Sequence, residues 1–206
     1  MDRGPEIIKA EGVTKRFGAL VAVDRVNYSL HENEVAGIIG SNGAGKTTLF
    51  NLLTGYYPPD EGNISYRGQD ITRMTPQARV ALGVMRTFQL TSTFDNMSVA
   101  DNLVLAFFKA HKPSSLLQLF LNTRRGHRDD GKVIAALQTF DLQHLSERQV
   151  KQLSLGEKRR LEIAMAVLVE PKVLLLDEPL AGLAESEIKS VLDVLRRRIG
   201  KQTILI

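Results

Sequence analysis

Apolar residues fall first in short runs and then in helical spacing along this chain. Ile7–Val13 and Val26–Leu30 read as strands. Glu34–Gly40 carries a continuous apolar run (Val35, Ala36, Ile38, Ile39) of the kind buried on both faces of a sheet. A glycine-rich loop and a helix from Lys46 follow. The Pro58-Pro59-Asp60-Glu61-Gly62 segment is turn chemistry, and Asn63–Arg67 then predicts a short strand ended by Gly68. The expectation is a small β-rich layer beside the main sheet.

Between Ser98 and Gln149 the pattern turns helical. Ser98 is placed to cap Val99–Lys109, and Asp130–Phe140 spaces Val133, Leu137 and Phe140 for one buried face. The intervening connection, Lys112–Arg128, is long, polar and basic, so Leu90–Gln149 is expected to be a semi-independent helical subdomain. Gly156–Val169 predicts another helix, Lys172–Asp177 a strand, Glu185–Gly200 a helix and Thr203–Ile206 a final apolar strand. This alternation predicts an α/β fold with a mainly parallel sheet.

At 206 residues, 43% hydrophobic and 24% charged, the chain is long enough to bury a sizeable core in one α/β domain. Its longest apolar runs, such as Val173–Leu176, are of core-strand length and far short of the roughly 20 apolar residues that span a bilayer. The N-terminal Met1–Glu6 segment is charged and lacks the apolar core of a secretory signal. There are no cysteines, which removes disulfides and thiolate metal sites. These features predict a cytoplasmic location. The net charge of +4 is a small excess, and the clusters at Arg124-Arg125, Lys158–Arg160 and Arg196–Arg198 have no interleaved aromatics for stacking bases. They read as solvated faces, and no nucleic-acid partner is expected.

Chemistry concentrates in three segments. Gly40-Ser41-Asn42-Gly43-Ala44-Gly45-Lys46-Thr47 fits the phosphate-loop pattern, directly after a strand and before a helix. The glycines let the backbone wrap phosphates, and the helix N-terminus presents N–H groups to negative charge. Lys46 is expected to reach the β- and γ-phosphates of ATP, and the Thr47 hydroxyl to coordinate Mg²⁺. Thr48, the next helical residue, completes the expected ATP-binding stretch. Second, the run Val173–Leu176 ends in two adjacent carboxylates. Asp177 is expected to hold Mg²⁺, directly or through water, and Glu178 to act on the attacking water as base or orienter. Third, Leu153-Ser154-Leu155-Gly156-Glu157 places Ser154 to cap the following helix and Gly156 where a phosphate could approach the backbone.

The third segment resembles the signature motif of ABC-type ATPases, usually Leu-Ser-Gly-Gly-Gln, and lies at the family position upstream of the Asp-Glu strand. Nearly the whole chain looks like an ABC transporter nucleotide-binding subunit. The Arg86-Thr87-Phe88-Gln89 segment and the helical insert after it are most similar to the branched-chain amino acid importer ATPase. The resemblance implies one ABC ATPase domain over 1–206, with 1–89 and 150–206 as catalytic core and β layer and about 90–149 as helical subdomain. It assigns Gln89 to the Q-loop, near Mg²⁺ and the attacking water, and Phe17 to stacking on adenine. It implies a head-to-tail dimer, with a second copy or a paralogous ATPase, in which Ser154, Gly156 and Glu157 act in trans. It further implies transmembrane permease subunits engaged through coupling helices, and a peripheral place on the cytoplasmic face of the membrane.

Departures accompany the likeness. Leu155 and Glu157 replace the usual glycine and glutamine, and Ala184 stands where the D-loop generally has Asp or Asn. Family members continue beyond a strand like Thr203–Ile206 into a Glu-His segment whose histidine contacts the γ-phosphate. This sequence stops before it, which suggests a truncated chain or impaired hydrolysis. Other readings are a non-transport ABC ATPase and a nucleotide-binding regulatory module without turnover. The first would normally carry a coiled-coil insertion or two cassettes, and the second rests on Leu155, Ala184 and the missing histidine.

Overall fold

The computed structural model describes residues 4–86, 93–111, 130–197 and 200–206. These divide into two compact units: Met1–Arg86 with Lys172–Glu178 and Arg198–Ile206, and Thr87–Pro171 with Pro179–Arg197.

The first unit holds two sheets. In the antiparallel one, strands β1 (Glu6–Phe17) and β2 (Leu20–His31) form a long hairpin, and β4 (Glu61–Tyr66) and β5 (Gln69–Asp70) extend it in the order β2-β1-β4-β5. Both hairpin strands run well past the lengths expected for them. The register slips between Ala10 and Val13, and again on either side of Lys15. Each slip moves the following side chains to the opposite face, so the apolar alternation breaks although the pairing continues.

The parallel sheet has the order β3-β8-β7-β6, from β3 (Val35–Ala36), β8 (Thr203–Leu205), β7 (Val173–Leu175) and β6 (Val84–Arg86). The central strands β7 and β8 are buried throughout, as expected of a parallel sheet. The strand expected over Glu34–Gly40 is corrected by the structure. Only Val35 and Ala36 form it, both half-buried, and Ile39 is 99% exposed. Among the described residues β3 is an edge strand, pairing only with β8. Its last ladder bond runs from the Ile38 N–H to the Ile206 carbonyl at 2.7 Å, so Ile39 already lies beyond the sheet.

Helix α1 (Lys46–Thr54) follows the glycine loop, and α2 (Pro76–Ala81) precedes β6. Sequence reading passed over both α2 and β6. Helix α2 carries its own start signal: the Thr75 side chain accepts from the Ala78 N–H, and Pro76 sits in the first turn. Strand β6 is only three residues long, too short for periodicity to register.

The core of this unit joins both sheets to α1 through Ile8, Leu30, Leu52, Leu53, Ile64 and Val173. Arg79 of α2 sits in it with no exposed surface. Its guanidinium donates to the carbonyls of Leu52 and Leu53, at 2.7 and 2.8 Å, and to those of Ile71 and Thr72, at 2.6 and 3.2 Å. Burial pushes its pKa down to about 10, and it remains a cation at neutral pH. The positive charge therefore meets the negative end of α1 and satisfies carbonyls that the helix cannot.

The second unit contains α3 (Val99–His111), α4 (Gly131–Thr139), α5 (Leu155–Leu168) and α6 (Glu185–Arg196). Ser98 accepts from the Asp101 N–H and Asp130 from the Lys132 N–H, so both expected helix starts are capped. Val133, Leu137 and Phe140 are buried together with most of α5. Helix α6 ends four residues before the expected Gly200, which adopts φ +74 and donates to the Asn33 carbonyl at 3.2 Å. No helix among the described residues is long and apolar enough to cross a membrane.

Candidate functional site

The loop between β3 and α1 is shaped by two glycines of positive φ, Gly43 and Gly45. Gly45, at φ +84, is the residue before the first helical turn. A Cβ there would lie 2.2 Å from the Ala22 carbonyl oxygen of β2, so the close approach of hairpin and loop requires glycine. Gly43 also has positive φ, with open space around it. Gly45 brings no side chain to cap α1, and the first turn contains no acidic residue. The N–H groups of Lys46, Thr47 and Thr48 therefore lack intrahelical partners and face the loop as donors for an anion. Lys46 arches back, its Nζ donating to the carbonyls of Gly40 and Ser41 at 2.6 and 2.9 Å.

Above this loop lies a cleft of about 390 Å³. One wall is the β1–β2 hairpin, through Phe17, Leu20, Val21 and Ala22; the floor is Asn42–Thr48, and Glu178 closes it. Phe17 is 42% exposed and stands edge-on to Tyr57, with ring centroids 5.3 Å apart. Leu20 and Val21 are exposed beside it, an apolar wall that sequence reading did not assign. Gly40 and Ser41 contribute carbonyls to Lys46 rather than walls to the cleft.

Asp177 and Glu178 follow β7 after Leu176, and they are positioned unequally. Glu178 lines the cleft from a left-handed backbone conformation, φ +45. For a side chain with a Cβ this costs on the order of 1–3 kcal/mol, a strain that collects at functional positions. Asp177 is buried and ion-paired to Arg86 at the end of β6. The other terminal nitrogen of Arg86 donates to the side-chain oxygen of Asn51, one turn along α1 from Thr47. Arg86 was quoted in the sequence for its neighbours and not for itself. A charge closing a buried strand needs an acid partner, but β6 is too short to register in the sequence, so that signal appears only once the strand is seen.

The oxygen donors here, the Thr47 hydroxyl and the carboxylates after β7, are of the hard kind Mg²⁺ prefers. Among the described residues no three His, Cys, Asp or Glu side chains gather into a metal cage. Mg²⁺ does not need one, because it is typically held by one or two protein oxygens together with phosphate and water.

In the second unit, Ser154 caps α5. Its hydroxyl accepts from the Glu157 N–H at 3.2 Å, and the Glu157 carboxylate accepts from the Ser154 N–H at 2.7 Å. Gly156 donates instead to Glu187 of α6, a residue sequence reading passed over. Leu155 is 53% exposed at the start of α5. Ala184 precedes α6 and offers only its backbone N–H, also to Glu187. Gln89, and the insert over Lys112–Arg128, lie outside the described residues.

The sequence pattern of the ABC transporter family matches residues 23–181. The branched-chain amino acid transport ATP-binding protein LivG of Escherichia coli K12 is 39% identical over 189 residues, which is 90% of this chain and 74% of LivG. BraF of Pseudomonas aeruginosa, of the same description, is 37% identical over 97% of this chain and 81% of its own length. A crystal structure of an ATP-binding cassette of an ABC transporter in its ADP conformation superposes with a TM-score of 0.79. It is 32% identical and is matched over 98% of this chain and 80% of that one. The α/β architecture of paired parallel and antiparallel sheets is that of these cassettes. The chain therefore belongs to the ABC transporter family, as an ATP-binding subunit whose ATPase activity is coupled to transport.

Proposed function

We propose that this chain energises the import of branched-chain amino acids by binding and hydrolysing Mg²⁺-ATP. The observation that carries the reading is the gathering of Phe17, Lys46, Thr47 and Glu178 around one cleft, in a chain 39% identical to a branched-chain amino acid transport protein. Adenine stacks on Phe17, while the loop from Gly40 to Thr48 and Lys46 hold the phosphates. Thr47 and Asp177 hold Mg²⁺, which neutralises charge developing on the phosphates. Glu178 acts on the attacking water, with Gln89 as its second polar neighbour. A second cassette, identical or paralogous, contributes Ser154, Gly156 and Glu157 to the opposite face of the nucleotide. Closure of that pair drives coupling helices of the permease subunits, which hold this chain at the cytoplasmic face of the membrane.

Reconstitution with permease and solute-binding subunits in vesicles tests the proposal. Leucine-dependent ATP turnover and uptake are expected, abolished by Lys46→Ala and by Glu178→Gln, with nucleotide binding lost only in the first. Uptake that ignores branched-chain substrates would overturn the substrate. Nucleotide binding without turnover in the assembled transporter would put a regulatory module in its place.

A further inference from the structure

Arg86 is nearly removed from solvent and tied at two ends. Its guanidinium joins the Asp177 carboxylate beyond β7 and the Asn51 side chain on α1, while its Nε finds no partner among the described residues. Asn51 lies four residues after Thr47 on the same helix, so the guanidinium spans from the helix bearing Thr47 to Asp177. Those are the two residues proposed above to hold Mg²⁺. A buried carboxylate needs a counter-charge, and here a fixed cation already supplies it.

We infer that Arg86 is the resident counter-ion of Asp177, which makes occupation of the metal site conditional on nucleotide. The inference rests on the reading of Asp177 as a metal ligand. In the nucleotide-free chain, the Asp177 carboxylate is balanced by Arg86. A divalent cation arriving alone would meet a carboxylate that is already neutralised, beside a fixed positive charge. Arriving with the nucleotide, it enters a site to which the phosphates have brought several negative charges. Attraction replaces repulsion at short range and low dielectric, where such a difference is large. Arg86 is thus a positioning residue that suppresses metal binding before nucleotide and ties Asp177 to α1 through Asn51.

Titration of Mn²⁺ by electron paramagnetic resonance, with and without a non-hydrolysable ATP analogue, tests this on the intact chain. Arg86→Gln removes the charge and keeps a hydrogen-bonding side chain. It is expected to tighten nucleotide-free Mn²⁺ binding by about tenfold or more and to weaken the mutual enhancement of metal and nucleotide. Arg86→Lys, which keeps the charge, is expected to stay near wild type. If Arg86 is only a structural tie between β6 and α1, its removal loosens the site and Mn²⁺ affinity falls or stays unchanged, which overturns the inference. Should Arg86→Gln fold poorly, Mn²⁺ is expected to raise its melting temperature more than that of wild type, since the metal then replaces the missing cation. An equal or smaller rise counts against the inference. Asp177→Asn separates the two readings: if it leaves Mn²⁺ uptake by the nucleotide complex intact, the metal assignment itself fails, whatever Arg86 does.

Discussion

The carboxylate of Glu187 accepts a hydrogen bond from the Gly156 N–H at 3.1 Å, across 31 residues of chain, and also meets the Ser154 hydroxyl at 3.3 Å and the Ala184 N–H at 3.1 Å. An anion from α6 is therefore seated on the first turn of α5. These partners, led by the Ala184 N–H, hold its carboxyl below the ordinary value of 4.5. A group ionised more easily when folded contributes stability that is present above pH 4.5 and lost as pH falls through its lower folded value. Glu187→Gln is expected to lower the urea midpoint at neutral pH and to converge with wild type in acid. Parallel curves at all pH values would show that the charge is not what matters.

Gly45 and Gly43 share positive φ but not surroundings. Gly45→Ala drives a Cβ to 2.2 Å from the Ala22 carbonyl, whereas Gly43→Ala meets open space. Each carries the strain of a left-handed non-glycine residue, on the order of 1–3 kcal/mol, and only the first adds a backbone collision. Thermal melts are expected to rank Gly45→Ala well below Gly43→Ala. Nucleotide titration should find binding abolished in the first.

Arg79→Met removes a buried cation and takes the guanidinium donor from four carbonyls, of which Leu52 and Ile71 keep the N–H groups of Gly55 and Met74. The expected loss is about 2–6 kcal/mol by chemical denaturation, from the buried acceptors left at Leu53 and Thr72. A loss below about 1 kcal/mol would mean that water replaces the guanidinium.

Phe17→Ala should weaken ATP and ADP binding alike, by about three- to tenfold, and leave the melting temperature close to wild type because the ring is 42% exposed. Inorganic triphosphate, which has no base to stack, is the control. An equal loss for triphosphate would remove Phe17 from base recognition.

The phosphate loop was legible because its glycines encode backbone geometry directly: the φ of Gly45 and its contact with Ala22 are what its position in the motif requires. The caps at Ser98 and Ser154 were legible for the same local reason. Long-range pairings were not. Asp177 was read as a metal ligand without its partner Arg86, 91 residues away, and Gly156 without Glu187. Ile39 looked like core because hydrophobicity reports what can be buried, while a strand's place in the sheet decides what is. The hairpin beyond Val13 hid behind its register slips.

The cluster of carbonyls on Arg79 also limits how the phosphate loop can respond to a ligand. Four oxygens from two chain segments converge on one planar group at the far end of α1, so the helix cannot slide along its axis without breaking both bonds from its Leu52 and Leu53 carbonyls to a cation that Ile71 and Thr72 hold in place. A nine-residue helix fixed this way behaves as a stationary post rather than a piston. Accommodation of phosphate then falls to the segment before the post, through rotation of Lys46 off its two carbonyls and adjustment of the glycines beneath it.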